Sequence, residues 1–290
     1  MEKVLFIVNP ISGSGDVHSF ETLVKNNLDA KQFASEIKYT TAAGEAFNMA
    51  KDGLTRGIRW IVAVGGDGTV NEVGKALINT DGAMGVIPRG SGNGLARHLR
   101  IPMATGKAIR VLNLGKIAML DYGVLNDVPF FCTAGLGFDA YVGDKFSHIG
   151  ERGFVNYVKT TLSEYFTYKS KPYKISFNNQ EIEKEAFLIT IANASQWGNN
   201  AFIAPEANMQ DGMLDVAILS PFPKYVAPSI GIRLFSKKID SCRYVQSFKV
   251  KKITIERAAP EVVHFDGEPT IMGEKLVAEV KPQALKVIIP

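Results

Sequence analysis

Three short runs of this sequence combine glycines, hydroxyls and amides in a way that suits phosphate. Gly65-Gly66-Asp67-Gly68-Thr69 carries three glycines around one acid. Glycines let backbone N–H groups approach an anion, and a helix starting there would add its dipole. The central carboxylate fits an anion site only with a divalent metal or a protonatable hydroxyl between them, which suggests a metal–nucleotide site. Asn9-Pro10-Ile11-Ser12-Gly13-Ser14-Gly15 offers the same group types without the lysine of a P-loop. Gly90-Ser91-Gly92-Asn93 is the third. A plain tight turn explains any one of them; three together are a stronger signal. Asp266-Gly267-Glu268 adds two carboxylates flanking a glycine, which could face a substrate hydroxyl and a magnesium ion.

The elements that must position these runs follow from hydrophobic periodicity. Val4–Val8, Trp60–Val64 and Met84–Pro88 are short apolar runs, and each opens directly into one of the three loops. Helical patterns over about 20–28, 45–54, 70–77 and 95–99 alternate with them, and a polar-alternating strand is expected near 36–40. This βαβ rhythm predicts an α/β domain over 1–125 with a largely parallel sheet, and open α/β sheets place ligands at strand carboxyl ends. After Asp121 the texture turns β-rich, with strands expected at 128–133, 173–177, 187–192, 214–219, 248–255 and 262–265. That predicts a mostly antiparallel second domain over 126–280, with one helical insertion near 154–168. A last strand, 285–289 within 281–290, could complete either domain.

Composition bounds the rest. The chain has 290 residues, 46% hydrophobic and 21% charged, with 33 basic against 29 acidic residues for a net charge of +4. This is a globular chain whose balance is too mild for a nucleic-acid binder. Cys132 and Cys242 lie far apart and form no metal-binding spacing, and no run reaches the length of a membrane span. A cytoplasmic protein with peripheral membrane association is expected. The histidines show no ligand spacing and suggest no role.

The ordered set Asn9-Pro10-x-Ser12-Gly13, Gly65-Gly66-Asp67-Gly68-Thr69-x-Asn71-Glu72, Pro88-x-Gly90-Ser91-Gly92-Asn93-x-x-Ala96-Arg97, Gly135-x-Gly137-Phe138-Asp139, Asp211-Gly212-x-Leu214-Asp215 and Asp266-Gly267-Glu268 resembles the diacylglycerol kinase and sphingosine kinase family across nearly the whole chain. The glycine loop alone is shared with NAD kinases and 6-phosphofructokinases, but the other motifs are not explained by them. The resemblance implies an ATP-binding α/β domain, a β-sandwich lipid domain, and transfer of a phosphoryl group from Mg-ATP to a lipid alcohol.

Carried over by motif, Asn9, Ser12, Gly13 and Thr40, with Thr41 as its neighbour, would meet phosphates. Gly65, Gly66, Asp67, Gly68 and Thr69 would line the nucleotide, with Glu72 bracing the loop. Gly90, Ser91, Gly92 and Asn93 would lie near the lipid headgroup, and Asp139 would grip it. Asp266, with Glu268 beside it, matches the proposed general base of bacterial diacylglycerol kinases; Asp67 matches that of sphingosine kinases, and the choice stays open. Asp211, with carbonyls near Asn208 and Met213, resembles a magnesium loop, although Gln210 stands where relatives often carry a second acid.

Gly94 occupies a place where diacylglycerol kinases usually have an acid, so the acceptor leans away from ordinary diacylglycerol while both diacylglycerol-like and sphingoid-like alcohols stay open. The region of Phe146 and 154–166 reads as a greasy lid or a packed helix. Lys169, Lys171 and Lys174, with Lys249, Lys251 and Lys252, could touch anionic headgroups or only water. A homodimer is compatible with the sequence. The alternatives are a catalytically weak nucleotide- or lipid-binding regulator and a kinase of a soluble acceptor such as NAD.

Overall fold

In the computed structural model the described residues are 1–13, 17–149, 164, 165 and 167–290. They divide into two units, Met1–Asp121 with Gln283–Pro290, and Tyr122–Pro282.

In the first unit, β1 (Glu2–Val8), β2 (Phe33–Tyr39), β3 (Trp60–Gly65) and β4 (Ala83–Pro88) pair in the order β2-β1-β3-β4, and every pair is parallel. The carboxyl end of β16 (Lys275–Ile288) pairs in parallel with β4 through Lys286 and Val287. Helices α1 (Val17–Asn27), α2 (Glu45–Thr55), α3 (Asp67–Leu77), the short α4 (Gly94–His98) and α5 (Thr105–Leu112) connect the strands. The central strands are apolar from Val4 of β1 and throughout β3, and Val4 to Val8 and Ile61 to Val64 are almost wholly buried. Such continuous runs are what a parallel sheet covered on both faces requires. Helix α3 begins at Asp67, three residues before the position the periodicity suggests, so the glycine loop forms its first turn.

The second unit is a sandwich. One sheet joins the first half of β16 to β13 (Lys252–Glu256), β8 (Lys171–Phe177) and β9 (Gln180–Ala186), all antiparallel. The other has the order β12-β11-β10-β7-β14-β15, with β7 (Thr133–Gly137), β10 (Leu188–Ala192), β11 (Leu214–Leu219), β12 (Val245–Val250), β14 (Glu261–Phe265) and β15 (Glu268–Met272). Strands β5 (Ile117–Leu125) and β6 (Val128–Phe130) form a hairpin.

Strand periodicity divides the six-stranded sheet into two apolar faces. Ile189, Ile191, Val216 and Ile218 join one cluster with Ile175, Ile253 and Leu276, the inner core. Leu188, Ala192, Ala217 and Leu219 join a second cluster with Phe138, Val142 and Ile230, which lie on α6 (Phe138–Ile149) and α7 (Ala227–Phe235).

One expectation is corrected. The single strand 248–255 is two, β12 and β13, placed in different sheets. The apolar alternation of Phe248 and Val250 breaks at Lys251-Lys252 and resumes out of phase at Ile253 and Ile255, where the chain changes sheet. Most of the expected helix 154–168 lies outside the described residues; of its aromatic positions Tyr165 is described, stacked on Phe222 with centroids 5.8 Å apart.

Candidate functional site

The sheet order of the first unit turns outward on either side of β1, leaving a crevice between the carboxyl ends of β1 and β3 where α/β folds bind ligands. The Asn9 loop and the Gly65 loop flank it. Asn9 N–H donates to the Val64 carbonyl (3.0 Å), its Nδ2 reaches Thr69 Oγ1 (3.5 Å), and its Oδ1 accepts from Ile11 N–H (3.1 Å). Ser12 Oγ closes the turn on the Asn9 carbonyl at 2.7 Å. Ser14 and Gly15 lie outside the described residues.

The third loop is tied to the second through one acid. Asp67 Oδ2 accepts from Asn93 N–H (2.9 Å), and Oδ1 from Gly94 N–H (2.7 Å). Asn93, at φ 52°, holds both ends of its own loop: Oδ1 accepts from Gly90 N–H at 2.9 Å and Nδ2 donates to Gly90 carbonyl at 2.7 Å. The backbones approach so closely that a Cβ on Gly90 would lie 2.5 Å from Gly66 Cα. One on Gly92 would lie 2.7 Å from Asp67 Oδ2. Glycine at these places is thus a packing requirement between two loops.

Thr40 N–H donates to the Val8 carbonyl (2.9 Å), which brings the end of β2 beside the Asn9 loop. Thr41 is engaged through its N–H and hydroxyl by Glu45, the first residue of α2. Glu72 accepts from Gly44 N–H (2.8 Å) and Ala46 N–H (3.0 Å), so it braces the loop after β2 as well as standing on α3. Arg89 goes unremarked in the sequence, although it sits inside the Pro88–Asn93 motif. A Cβ on Gly13 would lie 3.3 Å from its Nε, so a guanidinium accompanies the Asn9 loop, which has no P-loop lysine.

In the second unit Asp266 (φ 50°) and Gly267 (φ 91°) form a two-residue hairpin loop between β14 and β15, with Phe265 paired to Glu268. Asp266 is half-buried, and its carboxylate accepts three backbone N–H groups: Phe131 at 2.9 Å, Cys132 at 2.7 Å and Thr133 at 3.1 Å. Glu268 is exposed.

A second acid stands nearby on α6. Asp139 is 9% exposed, and its Oδ2 lies 3.1 Å from His264 Nε2 and 3.3 Å from Thr190 Oγ1, while Oδ1 accepts from Ala140 N–H at 2.8 Å. His264 Nδ1 is buried with no hydrogen-bond partner. A Cβ on Gly135 would lie 2.3 Å from His264 Nε2 and 2.4 Å from Asp139 Oδ2. The first glycine of Gly135-x-Gly137 therefore makes room for an acid–imidazole pair. No local signal reveals His264, because its partner comes from a strand pairing 125 residues away.

Asp139 lies at the edge of a cavity of about 510 Å³ on the outer face of the six-stranded sheet. Phe138, Val142, Phe187, Trp197, Ile203 and Leu234 are among its walls, and the lining is almost wholly apolar.

The Asp211 loop precedes β11, three strands from β14. Asp211 Oδ1 accepts from Met213 N–H (3.0 Å) and Oδ2 from the Lys249 ammonium (2.7 Å), which also lies 3.1 Å from Asp215 Oδ2. Asp215 and Lys249 are direct partners in the β11–β12 register, so the strand pairing itself places the cation there. Asn208 Oδ1 accepts from Gln210 N–H (3.0 Å). Among the described residues no three His, Cys, Asp or Glu side chains gather to hold a metal ion. In this structure the Asp211 carboxylate is thus engaged by Lys249 and the Met213 N–H.

Residues 3–125 match the diacylglycerol kinase catalytic domain, and residues 132–289 match the YegS C-terminal NAD kinase beta sandwich-like domain. A protein of Pseudomonas aeruginosa named "Probable lipid kinase YegS-like" is 30% identical over a match covering 88% of this chain and 84% of the relative. The Escherichia coli protein named "Probable lipid kinase YegS" is 27% identical, covering 88% and 86%. Among solved structures, a diacylglycerol kinase from Bacillus anthracis str. Sterne aligns with a TM-score of 0.76 at 24% identity, covering 100% of this chain and 97% of that one. An NAD kinase from Archaeoglobus fulgidus in complex with ATP aligns at 0.53 and 13% identity, covering 99% and 93%, a likeness of fold alone. With both domains matched along nearly its whole length, the chain is a kinase and belongs to the YegS-like lipid kinase family built on the diacylglycerol kinase catalytic domain.

Proposed function

We propose that this kinase transfers the γ-phosphoryl group of Mg-ATP to the hydroxyl of a lipid alcohol. The observation that carries the acceptor class is the apolar cavity of the second unit with Asp139 at its edge, a volume suited to a hydrocarbon chain with one polar group at its end. The amide-rich loops after β1, β3 and β4, with Arg89 beside them, fit the phosphates of a nucleotide. Bound magnesium would neutralise charge between the phosphate oxygens.

The roles divide as follows. Asn9, Ser12, Gly13, Gly66 to Thr69 and Arg89 bind phosphate, with Thr40 and Thr41 beside them. Asp67 locks the Gly65 loop to the Gly90–Asn93 loop, and Glu72 holds the segment after β2. Asp139 orients the lipid headgroup, itself held by His264 and Thr190. Asp266 takes the proton of the attacking hydroxyl, its carboxylate aimed by three backbone N–H groups, and Glu268, exposed beside it, would be a carboxylate available to magnesium. Phosphoryl transfer asks more for aim than for a strong base, so an acid fixed in this way suits the task. Magnesium enters with the nucleotide, and the Asp211 loop supplies no step.

The test is an acceptor panel with labelled ATP, scoring diacylglycerol, monoacylglycerol and sphingoid bases in mixed micelles against NAD and short aqueous alcohols. A phosphorylated lipid of the expected mass is the predicted product. ATP turnover only with NAD or aqueous alcohols would overturn the lipid reading. ATP binding without any turnover would favour the regulator.

A further inference from the structure

Helix α7 and the 3-10 turn before it, Lys224–Val226, are apolar on both sides. Inward, Ala227, Ile230, Gly231 and Leu234 wall the cavity. Outward, Tyr225 is 80% exposed, Ile232 70% and Phe235 52%. Steps of seven and three residues place these three along one stripe of the helix surface, with exposed Pro228 between them. A surface helix of a globular domain normally turns a polar face to water. Along the chain the stripe is flanked mainly by positive charge. Between residues 224 and 243 stand Lys224, Arg233, Lys237, Lys238 and Arg243 against one acid, Asp240, whose carboxylate accepts from Ser247 Oγ (2.8 Å).

Of the six lysines that the sequence offers first for a headgroup role, three are otherwise engaged. Lys171 pairs with Glu261, Lys174 with Glu181, and Lys249 with Asp211 and Asp215.

We infer that the outer face of α7 docks on an anionic lipid bilayer, with Tyr225, Ile232 and Phe235 entering the interface and the flanking cations meeting the headgroups. An exposed apolar stripe bordered in sequence by five cations against one acid is the composition of a helix lying in a membrane interface. The inference rests on reading the cavity as an acyl-chain site and adds where the chain enters. Phe235 is both exposed and part of the cavity wall, so a lipid passing α7 would leave the bilayer over apolar surface.

Vesicle flotation tests this with the full chain, using phosphatidylcholine mixed with phosphatidylglycerol against phosphatidylcholine alone. The parent protein should float with the anionic vesicles and be released by salt. Tyr225→Ser with Ile232→Glu should cut partitioning by roughly tenfold or more, since apolar area is lost and a charge is added. Lys237→Gln with Lys238→Gln should cut it about fivefold per cation removed. All forms should keep the parent's circular-dichroism melting curve and its turnover, in detergent micelles, of a panel of short-chain diacylglycerol, monoacylglycerol and sphingoid base. A parent that ignores anionic vesicles, or a Tyr225/Ile232 variant that floats as the parent does, overturns the inference. Failure of every form to phosphorylate any micellar acceptor would instead strike the kinase–lipid reading, and the flotation result would stand apart from it.

Discussion

The carboxylate of Asp67 accepts two backbone N–H groups from the neighbouring loop, and that of Asp266 accepts three from the turn before β7. Replacing either acid by asparagine keeps the shape but removes charge-assisted bonds, each worth about 1.5–3 kcal/mol. The consequences should differ. Asp266→Asn is expected to lower kcat by about 10²–10⁴-fold with the KM for ATP almost unchanged, as for loss of a proton acceptor. Asp67→Asn should raise the KM for ATP as well and lower the melting temperature, because two phosphate loops lose their tie. Steady-state kinetics on the pair decides it: full turnover by Asp266→Asn would remove Asp266 as the base. Gly135 makes the same point from the other side, since its missing side chain is filled by Asp139 and His264.

Among the elements, the β11–β12 pair carries its own cation. Burial pushes the Asp215 carboxyl up, and Lys249 opposes this by hydrogen bonding and charge. Lys249→Met would leave Asp211 and Asp215 facing each other without it. A loss of about 1–2 kcal/mol is expected, the discount reflecting the partial exposure of the ammonium, or a fall of roughly 2–4 °C in Tm. Millimolar magnesium should restore part of that loss in the variant and leave the nucleotide-free parent unmoved. A parent melting curve that rises with magnesium and falls with chelator would show a metal at this loop.

The same scale shows what was legible. Continuous apolar runs ending in glycine-rich turns reveal β1, β3, β4 and their loops, because both signals are local. The fate of 248–255 is only half local: Lys251-Lys252 breaks its alternation, but the partners that put β12 and β13 in different sheets are long-range. The pairing of Asp139 with His264 depends on β7 lying beside β14, a long-range register that no short motif records. The apolar stripe of α7 is hidden for a related reason, since periodicity alone does not tell an inward face from an outward one.

Stability against pH belongs to the whole molecule. Burial pushes the His98 imidazole down to about 4, with the charge of Arg100 adding to the effect. The unfolded chain binds this proton near pH 6.5, so it takes up more protons than the folded one below that value. The His98 contribution is complete above about pH 6.5 and is lost as pH falls toward 4, at up to about 1.4 kcal/mol per pH unit. Between pH 6.5 and 4.5 the urea midpoint of the parent should therefore fall more steeply than that of His98→Gln. Parallel curves for the two proteins would remove His98 as the cause.

Strand β16 begins in the sandwich and ends as the fifth strand of the parallel sheet of unit 1, with Leu285, Val287 and Ile288 buried there. On the ribosome, β1 to β4 emerge long before Gln283 to Pro290, and until then β4 is an open sheet edge. Unit 1 thus waits for the sandwich to be synthesised before its own sheet is complete. Such sequence-distant closure is slow to form and exposes an edge during synthesis. It also makes completion of the unit 1 sheet conditional on translation of unit 2, so a chain interrupted before Gln283 leaves β4 without its parallel neighbour.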